Sequence, residues 1–145
     1  RKTEIFSSFI MKNKQKLRKS VNEIINFTKK NNVKLALSTS TTINNVEAVF
    51  KSLSNQISKE DFHFIGNRSL VKYEKPNPEI YKLTLEKLNL EPDNCLAIED
   101  TEESSKSAVS AGIKCIGFPG DYHSDDSFEM CIKKVKILDQ SLFSL

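Results

Sequence analysis

The chain has 145 residues, 28% of them charged, and a formal net charge of +3. That length can bury one core, and so small a positive excess, without aromatic-basic interleaving, leaves no footprint for nucleic acid. No run approaches the ~20 apolar residues of a membrane span, and no signal peptide is visible, so a membrane partner is not expected either.

The three cysteines, Cys95, Cys115 and Cys131, form no C-x-x-C and no Cys/His cluster, which argues against structural zinc. Cys95 and Cys115 lie in apolar, strand-like runs. Reduced, buried thiols in an intracellular protein are expected rather than disulfides.

In chain order, Ile5, Phe6, Phe9 and Ile10 give the stretch from about Thr3 to Met11 the spacing of a helix with one apolar face. Residues 12–20 are polar and read as a linker. The next segment, 21–30, predicts an amphipathic helix with Val21, Ile24, Ile25 and Thr28 on one side. Residues 33–37 predict a short strand that runs into a row of hydroxyls, Ser38 to Thr42, ahead of a helix at 43–53. A helix cap needs one Ser or Thr. The longer row can present hydroxyls and N–H groups to an anion. A polar connection, 54–61, leads to a strand at 62–66, in which His63 reads as a packed or rim residue rather than a base. Arg68 follows it and receives no role.

The most informative stretch runs from Lys75 to Thr101. Asn77 is a good helix cap, Pro78 suits a first helical residue, and Pro76 keeps Lys75 out of the α region. After the helix, the apolar run from Cys95 to Ile98 stops at Glu99 and Asp100, as a buried parallel strand feeding a helix would. Ligands in open parallel sheets bind beyond such strand ends. Adjacent carboxylates there suit a hard cation such as Mg²⁺, and a lysine at the same edge suits a phosphate. The pair by itself fits a helix start better, since acids there favour the dipole. A helix at 102–111 with Ala108, Val109 and Ala111 as its packing face follows, capped by Gly112. Beyond it come a strand at 113–118, a loop at 119–123, a solvated turn at Asp125-Asp126, an edge strand at 135–138 and a tail at 141–145.

Lys75-Pro76-x-Pro78-Glu79-Ile80-Tyr81, then Glu99-Asp100-Thr101, then Ala111-Gly112-Ile113 together resemble the haloacid dehalogenase-like superfamily of phosphatases and phosphomutases. Within it the chain is most similar to the CbbY-like and β-phosphoglucomutase-like subgroup, and the 119–123 loop with Asp125-Asp126 resembles the CbbY-like group in particular. The resemblance implies an α/β fold, a Rossmann-like parallel sheet with flanking helices. It implies Thr39, Lys75 and Asp100 as catalytic residues. Thr39 and Lys75 would bind the phosphoryl group, with the Ser40 backbone and the Thr41 side chain nearby, and Asp100 with Glu99 would hold Mg²⁺. Arg1-Lys2-Thr3 resembles a substrate-facing stretch of the family's mobile cap, which would set Lys2 on a distal phosphate or sugar oxygen. A solvated lysine at a frayed end is the other reading. Lys19-Ser20 stands where Pro-Gly is common in the family, and Ser104 where Gly is usual.

The family's nucleophile is the first aspartate of an Asp-x-Asp motif ending the central strand, and it forms an aspartyl-phosphate. No such motif occurs in this chain. The expectation is therefore the carboxyl-terminal part of a member, with residues 1–18 the end of a helical cap domain and its linker. Residues 19–145 would be the carboxyl-terminal part of the core. The sheet would lack its central first strand, leaving a gap of ~9.6 Å between the strands ending at Leu37 and Ile98, and the last cap helix would precede it. Such a chain alone is expected to be poorly folded and inactive. The implied function of the intact protein is Mg²⁺-dependent release of phosphate from a phosphorylated sugar, such as xylulose 1,5-bisphosphate. A cytoplasmic monomer is expected, or a plastid one in a photosynthetic eukaryote. A β-phosphoglucomutase-like intramolecular phosphotransfer would use the same residues. A non-catalytic phosphate-binding or regulatory protein would follow if no Asp-x-Asp lies upstream.

Overall fold

The computed structural model describes residues 3–6, 11–13, 16–18, 20–120 and 122–144. Its elements in chain order begin with β1 (Thr3–Phe6), β2 (Met11–Asn13), β3 (Lys16–Leu17), α1 (Val21–Lys30), β4 (Leu35–Ser38) and α2 (Ile43–Ser52). They continue with β5 (Phe64–Gly66), α3 (Glu79–Leu88), β6 (Cys95–Glu99), α4 (Glu102–Ser110), β7 (Lys114–Gly117) and β8 (Lys133–Lys134). Six strands form one sheet in the order β5-β4-β1-β6-β7-β8, and every pairing in it is parallel. β2 and β3 pair separately and antiparallel.

Alternation along the strands sorts the helices to two faces. Leu35 and Leu37 of β4, Leu96 and Ile98 of β6 and Ile116 of β7 pack with Val21, Ile24 and Ile25 of α1 and Val46 and Phe50 of α2. Cys95 and Ala97 of β6 and Cys115 of β7 point the other way, onto Ile80, Tyr81 and Leu85 of α3 and Ala108 of α4. Both faces of β6 are thus covered, as a parallel strand requires. Each large side chain so buried contributes roughly 1.5–3 kcal/mol. The carboxyl-terminal 3₁₀ turn, Gln140–Ser144, closes the first face: Leu142 enters its core, and Phe143 stacks on Phe27 with centroids 4.5 Å apart. No helix among the described residues is long and apolar enough to cross a membrane.

The predicted α/β class is the observed one, and α1 buries the four residues its period singles out. The amino-terminal expectation is corrected. The backbone of Thr3–Phe6 is a strand, not the start of a cap helix. It lies between β4 and β6, with Ile5 opposite Ala36 on one side and Ala97 on the other. The expected gap is therefore filled, and the sheet runs unbroken from β5 to β8. The reason is non-local: β4 and β6 each present a row of N–H and C=O groups to the slot, and unpaired buried backbone is costly. Thr-Glu-Ile-Phe has the branched and aromatic composition a strand accepts.

Two smaller differences follow the same logic. The edge strand is Lys133–Lys134 rather than 135–138, with Lys133 opposite Ile116. Exposed lysines at a sheet edge discourage further pairing, while Leu138 instead plugs the core with its N–H on Ser20 Oγ at 2.8 Å. α3 begins at Glu79, one residue later than the sequence suggests. Asn77 still serves its start, since its Oδ1 accepts the Glu79 N–H at 2.9 Å.

Candidate active site

The carboxyl ends of β4 and β6 flank β1 and bring three separate sequence motifs to one place. Lys75 Nζ donates to the carbonyl of Ser38, the last residue of β4, at 2.8 Å. It also lies 2.6 Å from Glu99 Oε2 at the end of β6. The lysine side chain is 5% exposed and the glutamate 0%, so this is an ion pair inside the protein. Thr39 follows Ser38 and is itself buried. Asp100 follows Glu99 and is half-buried.

Local chemistry explains each position. The Thr39 N–H bonds the carbonyl of Gly66 in β5 at 3.1 Å, and its Oγ1 accepts the Thr41 N–H at 3.2 Å. Thr42 caps α2 by accepting the Asn45 N–H. The Thr41 hydroxyl accepts from Asn45 Nδ2 at 2.8 Å, so it serves the helix start. Ser40 is half-buried in the same turn. The row of hydroxyls thus divides its work: Thr42 and Thr41 serve the helix, while Thr39 sits at the strand end.

The lysine loop is tied down from three sides. The Glu79 carboxylate accepts the N–H groups of Lys72 and Tyr73, and these bonds hold its pKa below the ordinary carboxylate value. Ser107 of α4 donates to the carbonyl of Asn77 at 2.7 Å. Ser38 Oγ pairs with Thr84 Oγ1 of α3 at 2.8 Å, locking that helix to β4. α4 in turn starts from Thr101, whose hydroxyl accepts the Ser104 N–H. Asp126 accepts the Glu102 N–H at 3.1 Å, so this residue of the turn caps α4 from a distance.

Tyr81 is fully buried on α3, and its hydroxyl donates to Glu99 Oε2. Burial, followed by the Glu99 charge, pushes its phenol well above the usual range, so it stays a donor. Burial likewise raises the Asp100 carboxyl, with the Glu99 charge adding to the effect. Glu99 Oε1 has no hydrogen-bond partner among the described residues. A buried oxygen without a donor, beside a second carboxylate, is a donor set that fits a hard divalent cation. No group of three His, Cys, Asp or Glu side chains among the described residues is arranged to hold a metal. Remaining ligands would come from water, substrate or a further carboxylate, as Mg²⁺ sites commonly allow.

The sequence reading thus finds Thr39, Ser40, Thr41, Lys75, Glu99 and Asp100 at one edge of the sheet, whereas Lys2 lies outside the described residues. It did not find Tyr81 as a partner of Glu99, nor Arg18. The Arg18 guanidinium donates to the carbonyls of Phe118 and Pro119, each at 2.7 Å. It also stacks 3.6 Å from the Phe118 ring centroid. Nothing local in a polar linker signals that anchor.

A family model described as haloacid dehalogenase-like hydrolase matches residues 2–112. The chain belongs to the haloacid dehalogenase-like hydrolases. It is 32% identical over 127 residues to the protein CbbY of Cereibacter sphaeroides, covering 88% of this chain and 55% of that one. It is 36% identical over 116 residues to a phosphorylated carbohydrates phosphatase of Thermotoga maritima, covering 79% of this chain and 50% of that one. The solved structure of CbbY from Rhodobacter sphaeroides in complex with xylulose-(1,5)bisphosphate superposes with a TM-score of 0.77 at 31% identity, covering 82% of this chain and 53% of that one. The chain spans about half the length of the curated relatives it matches. The family and the CbbY-like subgroup are those read from the Lys75 and Glu99-Asp100 motifs.

Proposed function

We propose that the protein containing this chain is a phosphatase that releases phosphate from a phosphorylated sugar, a bisphosphate of the xylulose type being the first candidate. One observation carries the reading: Lys75 Nζ joins the ends of β4 and β6, next to Thr39 on one side and Asp100 on the other. An ammonium has three donors; two are placed on Ser38 and Glu99, and the third would meet a phosphoryl oxygen. The Thr39 hydroxyl and the N–H groups of the Ser40 turn would take further oxygens, fixing the group for in-line attack.

Glu99 and Asp100 would hold Mg²⁺, which when bound neutralises charge on the phosphoryl group. The nucleophile would be an aspartate outside residues 1–145, carried by a strand that pairs between β4 and β6. The phosphoryl group would pass to that carboxylate as the sugar oxygen leaves with a proton, and water would then release it as inorganic phosphate and restore the carboxylate. Thr3–Phe6 holds the same slot here, so in the longer protein residues 1–18 would leave it to form the end of the cap and the linker. Residues 19–145 would be the carboxyl-terminal part of the core.

The test is phosphate release from sugar phosphates by the full gene product, with and without Mg²⁺. Asp100→Asn is expected to lower kcat/KM by about 10²-fold or more while the protein stays folded. An unchanged rate in that variant would remove Asp100 from the reaction, and no phosphate release by wild type would remove the activity.

A further inference from the structure

We infer that Tyr81 is a positioning residue for Glu99, fixing the carboxylate so that Oε2 is consumed by protein donors and Oε1 is reserved for a divalent cation. This rests on the reading that Glu99 and Asp100 hold such a cation. Three observations carry it. The Tyr81 hydroxyl and the Lys75 ammonium both donate to the same oxygen, Oε2. Oε1, equally buried, receives no donor among the described residues. The Tyr81 ring also lies under the ammonium, with Lys75 Nζ 5.2 Å from its centroid. One side chain therefore touches both members of the ion pair, its face to the cation and its hydroxyl to the anion.

The asymmetry is informative because it is costly. A buried carboxylate gains most when its two oxygens share the available donors. Placing both donors on one oxygen leaves the other to be satisfied by something the described residues do not supply. Tyr81 can impose this because its own position is fixed by α3. That helix is bonded to β4 through Thr84 and Ser38, and its first residue, Glu79, holds the loop that delivers Lys75. Rotation of the Glu99 carboxylate would break the Tyr81 and Lys75 bonds together. A phenylalanine at 81 would fill the same space and keep its face under Lys75, yet would leave the ammonium as the carboxylate's one donor among the described residues.

The experiment uses the full gene product and Mn²⁺ as the probe, with its dissociation constant read by electron paramagnetic resonance in the absence of substrate. Tyr81→Phe is expected to weaken Mn²⁺ about tenfold or more, the usual size of losing an outer partner of a metal ligand, with a melting temperature close to wild type. In a Glu99→Gln background, Tyr81→Phe is expected to change Mn²⁺ affinity no further, because its effect passes through that carboxylate. Unchanged affinity in Tyr81→Phe, or an equal loss in both backgrounds, would overturn the assignment and leave Tyr81 a core residue. Wild-type protein that releases phosphate but binds no Mn²⁺ would instead overturn the cation reading, and this inference with it.

Discussion

Lys75 Nζ lies 2.6 Å from Glu99 Oε2 with both side chains withdrawn from solvent, so a residue proposed to bind phosphate also neutralises a charge in the core. Removing the lysine leaves a buried carboxylate without its counter-charge. Lys75→Ala should therefore cost about 3–5 kcal/mol of stability besides its effect on phosphate. Urea unfolding of the full gene product measures this. Replacing the pair together, with Lys75→Met and Glu99→Leu, should recover part of the loss: the uncompensated charge goes too, but the buried Tyr81 hydroxyl loses its acceptor. If Lys75→Ala unfolds at the wild-type midpoint, the ion pair is not maintained in solution.

Thr39 is 2% exposed, and among the described residues its hydroxyl bonds within its own turn. Thr39→Val keeps the volume and removes the polar atom. Inorganic phosphate should then inhibit the full protein about tenfold more weakly or worse, the size of one hydrogen bond to a charged group. Thr39→Ser should retain wild-type inhibition. Equal inhibition constants for Val and wild type would take Thr39 out of the anion site.

The cysteines differ in reactivity as well as burial. Each thiol is the foremost influence on the other, lowering the half-buried Cys131 and raising the buried Cys115. The thiolate of Cys131 therefore forms at lower pH than that of a free cysteine. Iodoacetamide should modify it first, with a half-maximal rate at a pH below that of a free thiol. Cys95 and Cys115 should stay unlabelled in the folded protein. Peptide mass spectrometry over a pH series reads this directly, and prior labelling of Cys115 would contradict the packing.

Arg18 holds the end of β7 and the following loop with a two-pronged donor. A lysine there keeps the charge but cannot reproduce the fork or the stacking on Phe118. Arg18→Lys should cost roughly 1–3 kcal/mol and lower the melting temperature of the full protein. An unaltered melt would mean that these carbonyls find other donors.

What the sequence determined by itself was the family and the local order of its motifs. Lys75 ahead of a capped helix, Thr39 after an apolar run and Asp100 at a strand end are short patterns whose meaning depends on neighbours in the chain. The helical period of Val21, Ile24, Ile25 and Thr28 is equally local, and it appears unchanged in α1.

Tertiary structure decided the rest. Ile5, Phe6, Phe9 and Ile10 satisfy a helical period, yet Thr3–Phe6 forms a strand because β4 and β6 offer it two sets of backbone partners. Val135, Ile137 and Leu138 look like an edge strand, but pairing falls on Lys133–Lys134, whose partners Ile116 and Gly117 lie far back in the chain. Tyr81 is one apolar position of a helix until folding sets its hydroxyl on Glu99, and Arg18 is one cation of a linker until Phe118 lies beneath it. Hydrogen bonds and ion pairs between distant segments exist only after the sheet has assembled. Sequence order can name the residues of such a site, but only packing decides which oxygen each donor reaches.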